Sequence, residues 1–359
     1  MHHATARQAI MRILGGSGFG ESALAATLAA RLHDDPDCPA PTRDAIIQAC
    51  LDLPFDEAPP YVHPINQQPV PEDPRGLCHQ LLPALIAHPA DPALGAASLW
   101  SLSELWPHVA TDERAILRTR LLNSLAMRRE DSAGALTAFQ LREWQKKVPT
   151  HYGTLTPSVA SMRGVLETPE ALAAYLLLAE HLGMAVDLET LCWVQGSLGI
   201  HLLQSHHDRG GRLAGFVIGA SACERLVPHC HAESLVTVIS QLNHRIWWLR
   251  AHGRLHPVRQ SIDHTQRPFG PAVATGDITL AQRAARTLAA QQPGRFWYEV
   301  WREIASRLPT GRTDLLRLLS MLDAARWRSE SGGVAVDDAS AIAALLADLA
   351  YRHSTPRPA

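Results

Sequence analysis

Residues 110–127 read ATDERAILRTRLLNSLAM. Leu117, Leu121 and Leu125 recur at one-turn spacing, which lines one face of a 3.6-residue period. Asp112 and Glu113 fall in the first turn after Thr111, where carboxylates oppose the positive end of the helix dipole. The stretch therefore predicts a capped helix opening at Thr111. Two more starts of this kind follow from Thr42, ahead of an apolar run ending near Leu53, and from Thr168-Pro169-Glu170.

The same periodicity predicts helices over about 20–33, 76–87, 92–106, 133–147, 188–206, 232–251, 278–291, 295–307, 312–328 and 337–352. Alternating patterns long enough for strands are nearly absent. The expected fold is all-α, a compact protein of about twelve helices, in one body or in two packed halves. N-terminal helices occupy 1–53, and the segment 54–75 holds seven prolines, so it reads as a connection or lid without regular structure. A central helical core spans 76–251, a connecting segment 252–277, a C-terminal helical group 278–352 and a tail 353–359. A faint echo links GFVIGASACERL at 215–226 with GDITLAQRAARTL at 276–288; it marks two helices entering the core by similar turns, not a repeat.

Composition narrows the function. The 359 residues carry 33 Lys+Arg against 35 Asp+Glu, a formal net charge of -2. No broad positive field is available for nucleic acid or anionic lipid, and 6% aromatic residues are few for stacking bases. No apolar run approaches the ~20 residues that span a bilayer, and MHHATARQAIMRILGGSG lacks the apolar stretch of a secretory signal. The six cysteines form no C-x-x-C pair. The expectation is a soluble cytoplasmic protein whose partner is a small-molecule substrate, with no nucleic acid and no membrane, compatible with a homo-oligomer.

Gly15 to Ser22 fits the spacing of a phosphate-binding loop, but Glu21 stands where a lysine is required, and ARQAIMRIL before it reads as a helix. It is taken as a turn between helices. Histidine is the feature that rises above background: nine of 19 lie between His201 and His264. Imidazole ligates Zn, Fe and Cu and titrates near neutrality, so His201, His206, His229 and His231 are the candidate metal ligands. On one regular helix His201 and His206 would sit about 140° apart, which argues against their sharing an ion. His229-Cys230-His231 either ligates or merely solvates a turn.

On the 232–251 helix, Leu235, Val238, Ile239, Leu242, Ile246 and Leu249 form an apolar stripe, while Thr237, Ser240, Gln241, His244 and Trp248 lie opposite. A tryptophan on the polar arc suggests that this side is covered as well. His244 is the candidate proton carrier, and Trp248 and Tyr61 are candidates to shape a pocket around a cofactor. Glu180 and His181 end the apolar 169–182 helix and are candidate acid/base groups. His207 and Asp208 are adjacent in HHDRGG at 206–211, and adjacent side chains on a helix diverge, so no imidazole–carboxylate pair follows from them. These features lead to the expectation of an enzyme with a His-lined pocket, oxidoreductase or oxygenase-like, holding a metal ion, iron ahead of others, or haem. The alternatives are a cofactor-free histidine acid/base enzyme and a non-catalytic helical scaffold that binds another protein.

Overall fold

Among the described residues, helices form where the spacing places them. The computed structural model describes residues 3–15, 20–52, 64–87, 92–127, 188–208, 211–259, 261–263, 265–308, 312–330 and 335–354. These hold fourteen α-helices, numbered here in chain order, and the fold is all-α. The N-terminal ones are α1 (His3–Gly15), α2 (Gly20–Leu32), α3 (Ala40–Leu51), α4 (Pro74–Ala87), α5 (Pro92–Leu105) and α6 (Thr111–Met127). The central ones are α7 (Leu188–Ser205), α8 (Arg212–Leu226) and α9 (Ala232–Ala251). The C-terminal ones are α10 (Phe269–Ala274), α11 (Ile278–Gln291), α12 (Pro293–Ala305), α13 (Arg312–Glu330) and α14 (Ala335–Ser354). Among the described residues, strand is confined to His206–His207 and His256–Pro257, paired antiparallel with His207 opposite His256.

Helix starts differ from the sequence reading in detail. Thr42 is not a cap: α3 begins at Ala40 after Pro39, because a proline in the first turn removes an N–H that has no partner anyway. Thr111 is the first helical residue of α6, and the Ala110 N–H is bound instead by the Glu113 carboxylate at 2.9 Å. The 133–147 and 169–182 helices, and with them Thr168, lie outside the described residues. α8 is the central element, against both α7 and α5, although two glycines and β-branched residues give it poor intrinsic propensity. Its neighbours explain why. A Cβ on Gly219 would lie 2.9 Å from Ala93 Cα of α5, and a Cβ on Gly199 of α7 would lie 2.7 Å from Val217 Cγ2 of α8.

Buried arginines tie the outer helices to this centre. Arg225 of α8 pairs with Asp323 of α13 and lies 4.3 Å from the Trp100 ring and 4.8 Å from the Trp327 ring. Arg328 of α13 reaches Asp338 of α14 at 3.3 Å, the Trp193 carbonyl at 3.3 Å and Ser197 Oγ at 2.9 Å, both on α7. One hydrophobic cluster runs from Ala6 to Leu349, so the C-terminal group packs into the same core as the N-terminal helices. The described part of the proline-rich connection is anchored. Arg118 donates to the carbonyls of Gln68 and Pro69 at 3.1 Å, and Trp106 Nε1 to that of Pro71 at 3.3 Å. α1 runs to Gly15, so a helix and not the strand a phosphate loop needs precedes residues 16–19, which lie outside the described residues.

Gly199→Val should cost about 1–3 kcal/mol by overpacking, because part of the obstruction, the Val217 backbone nitrogen at 3.3 Å, cannot swing away. Gly294→Ala, with nothing within 4 Å of its added Cβ, should be near neutral. Urea unfolding followed by circular dichroism separates the two.

Candidate active site

The site is built where α7 ends. Ser205 closes the helix, the chain extends through His206 and His207, and the Val258 N–H donates to the Ser205 carbonyl at 2.9 Å. Asp208 then folds inward, 2% exposed, and caps α8: its Oδ1 accepts from Leu213 N at 2.8 Å and its Oδ2 from Ala214 N at 3.3 Å. Gly211 makes this turn with φ +72°, and Arg317 occupies the space a side chain would need. Burial pushes the Asp208 carboxyl above its ordinary value, against the opposing pull of Arg317 and the two amides. Asp208 is thus a structural cap and not the partner of His207.

The partner of His207 comes from the other end of the chain. Its Nδ1 lies 3.2 Å from Asp348 Oδ1 on α14. Arg352, one turn on, holds the second carboxylate oxygen, with Nε 3.2 Å from Oδ2, and reaches Asp314 at 3.2 Å. His207 is one-third exposed, whereas Asp348 is 10% exposed. The pair sits in the wall of a cleft of about 1240 Å³, lined also by His256, Arg259, Ser261, Asp277 and Tyr351. A second cavity of about 340 Å³ adjoins it, with His207 and His256 shared and Arg212 and Arg254 added. Asp277 is committed to capping α11 through Leu280 N at 3.0 Å. Arg254 and Arg259 have no carboxylate partner among the described residues.

The other predicted site residues, where described, do not line this cleft. Among the described residues no group of three or more His, Cys, Asp or Glu side chains is placed to hold a metal ion. His201 lies on α7, half-buried, and burial holds its imidazole below the usual value. His206 has left the helix, so the wheel argument no longer governs it; it contacts Ser205 Oγ at 2.8 Å, and burial lowers it too. His229 closes the 3-10 turn Val227–His229. His231, exposed, meets the His79 ring edge-on at 4.2 Å. Trp248 is half-buried and stacks on His252 at 4.4 Å. Thr237, Ser240 and Gln241 are buried, so the polar arc of α9 is covered as its tryptophan suggested. His244 is half-buried on that arc. Tyr61, Glu180 and His181 lie outside the described residues.

His207 and His256 stood among the clustered histidines in the sequence, but Asp348 and Arg352 did not stand out. One signal was present: Asp348 is the sole ionisable residue of the run ASAIAALLADLA at 339–350, and a carboxylate in a buried apolar helix requires a partner. No protein-family model, curated protein or solved structure matches the chain.

The imidazole of His244 is held below its usual value by burial alone. Protonation is therefore harder in the folded state than in the unfolded one, whose value is about 6.5. The stability that neutral His244 contributes is present above that value and is lost as pH falls below it toward the folded one. His244→Gln should flatten the pH dependence of the unfolding free energy between pH ~7.5 and ~5, read as the difference from wild type in urea titrations.

Proposed function

We propose that this chain is a cofactor-free enzyme in which His207 acts as general acid and base on a small organic molecule bearing an anionic group. The carrying observation is the 3.2 Å contact between His207 Nδ1 and Asp348 Oδ1 in the wall of the 1240 Å³ cleft. A buried carboxylate at Nδ1 holds the neutral ring in the Nδ1–H tautomer and leaves the Nε2 lone pair as the base. Arg352 holds the second oxygen of the Asp348 carboxylate in position. Asp348 thereby orients the imidazole and stabilises the imidazolium that forms when Nε2 takes a proton from substrate or water. The proton returns to the product from the same nitrogen.

Substrate charge follows from the lining. Asp208 and Asp277 are spent on helix caps and Asp348 on His207 and Arg352. Arg254 and Arg259 remain as cations facing the two cavities, which favours a carboxylate or phosphate group on the ligand. Iron or haem held by His201, His206, His229 and His231, and the redox chemistry expected with it, has no comparable convergence to support it among the described residues.

Turnover of a panel of p-nitrophenyl carboxylate and phosphate esters should fall by about 10²–10⁴ in His207→Ala, the range general acid–base catalysis supplies, with a smaller loss in Asp348→Asn. Long-range proton–nitrogen correlation spectra should show neutral His207 protonated at Nδ1 in the wild type and not in Asp348→Asn. Equal turnover in wild type and His207→Ala, or a neutral His207 protonated at Nε2, would sink the reading.

A further inference from the structure

The turn His229-Cys230-His231, unresolved in purpose by the sequence, meets a matching pair on another helix. Cys78 and His79 are consecutive on α4, and Cys230 and His231 are consecutive where the chain enters α9. The thiol of Cys78 is hydrogen-bonded to that of Cys230, and the rings of His79 and His231 meet edge-on with centroids 4.2 Å apart. The backbones of α4 and the 3-10 turn Val227–His229 pack directly on one another, so the two thiols are apposed by fixed elements and not by mobile side chains alone. We propose that Cys78 and Cys230 form a reversible disulfide, a redox modification site that locks α4 to the turn entering α9.

The two thiols divide the work. Cys78 is fully buried, whereas Cys230 is half-exposed, so Cys230 is the one a dissolved oxidant reaches. With a hydroperoxide as oxidant, the Cys230 thiolate attacks the outer peroxide oxygen. The O–O bond breaks, an alkoxide leaves, and Cys230 becomes a sulfenic acid. The Cys78 sulfur then attacks the Cys230 sulfur; the S–O bond breaks, the Cys78 proton joins the departing hydroxide, and water leaves as the disulfide forms. Two electrons pass from the sulfurs to the peroxide. An external dithiol restores both thiols by exchange. The neighbouring Cys230 thiol, and burial after it, keep Cys78 in its protonated form, which suits a resolving thiol that stays unreactive until Cys230 is oxidised beside it.

Cys223 is the competing partner, buried near Cys230 but on α8. Cys50, perturbed by burial alone, is the internal control. The test is a peptide map of the full chain, alkylated without reduction after treatment with hydrogen peroxide. The expected product is a Cys78–Cys230 cross-linked pair with a mass 2 Da below the two free peptides, reversed by dithiothreitol, while Cys50 stays alkylatable. The unfolding midpoint of the oxidised chain should lie roughly 5 °C or more above that of the reduced chain, since the cross-link closes a long loop. Cys230→Ser, at a half-exposed position, should fold by circular dichroism and leave Cys78 alkylatable after peroxide. The proposal is overturned if Cys78 remains alkylatable in oxidised wild type, if Cys230 pairs with Cys223, or if Cys230 stops at sulfinic acid with Cys78 untouched.

Discussion

The near-contact of backbones at α8 is the constraint on which the other elements depend. Gly219 admits Ala93 of α5, and Gly199 of α7 admits Val217. Three helices thereby approach more closely than larger side chains allow, and dispersion contacts accumulate along the shared faces. Closeness at the centre also leaves room for long cations to run between layers. Gly196 has no Cβ where Arg328 passes; one placed there would lie 2.6 Å from its Nη1. A buried guanidinium is costly without partners, and Arg328 has Asp338, Trp193 and Ser197. The polar crosslinks and the glycine contacts are therefore one device, since either would fail without the other.

The two ends of α8 carry the two chemical features of the molecule. At its N-terminus the orphan amides of the first turn recruit Asp208, and this capping obligation holds the adjacent His207 extended beside His256. At its C-terminus the chain turns through Val227–His229 into Cys230 and the α4 contact. A helix of 15 residues spans about 22 Å, so the imidazole–carboxylate pair and the thiol pair are separate sites joined by one rigid element.

Much of the fold was legible because helical periodicity is a local property. The buried stripe of α9, Leu235, Val238, Ile239, Leu242, Ile246 and Leu249, is the stripe that the spacing predicts. So are the bounds of α11, where Asp277 supplies the cap. α8 was the least legible helix for the opposite reason. Its glycines and β-branched residues lower local propensity, and only the close packing of α5 and α7 makes that composition favourable. The candidate site was hidden by sequence distance. His207 and Asp348 are 141 positions apart, and the nearer carboxylate, Asp208, drew the eye while being engaged with backbone amides.

Taken alone, the order of residues determined an all-helical chain, the approximate limits of most helices, a proline-rich connection and an enrichment of imidazole after residue 200. Each of these depends on neighbours within a few turns, where propensity and periodicity act. Tertiary structure alone decided which imidazole meets a carboxylate, which thiols meet one another, and that His201, His206, His229 and His231 form no metal-holding group among the described residues. Such pairings depend on how helices cross, and crossing is set by shape at contacts between residues remote in the chain, which no local pattern records.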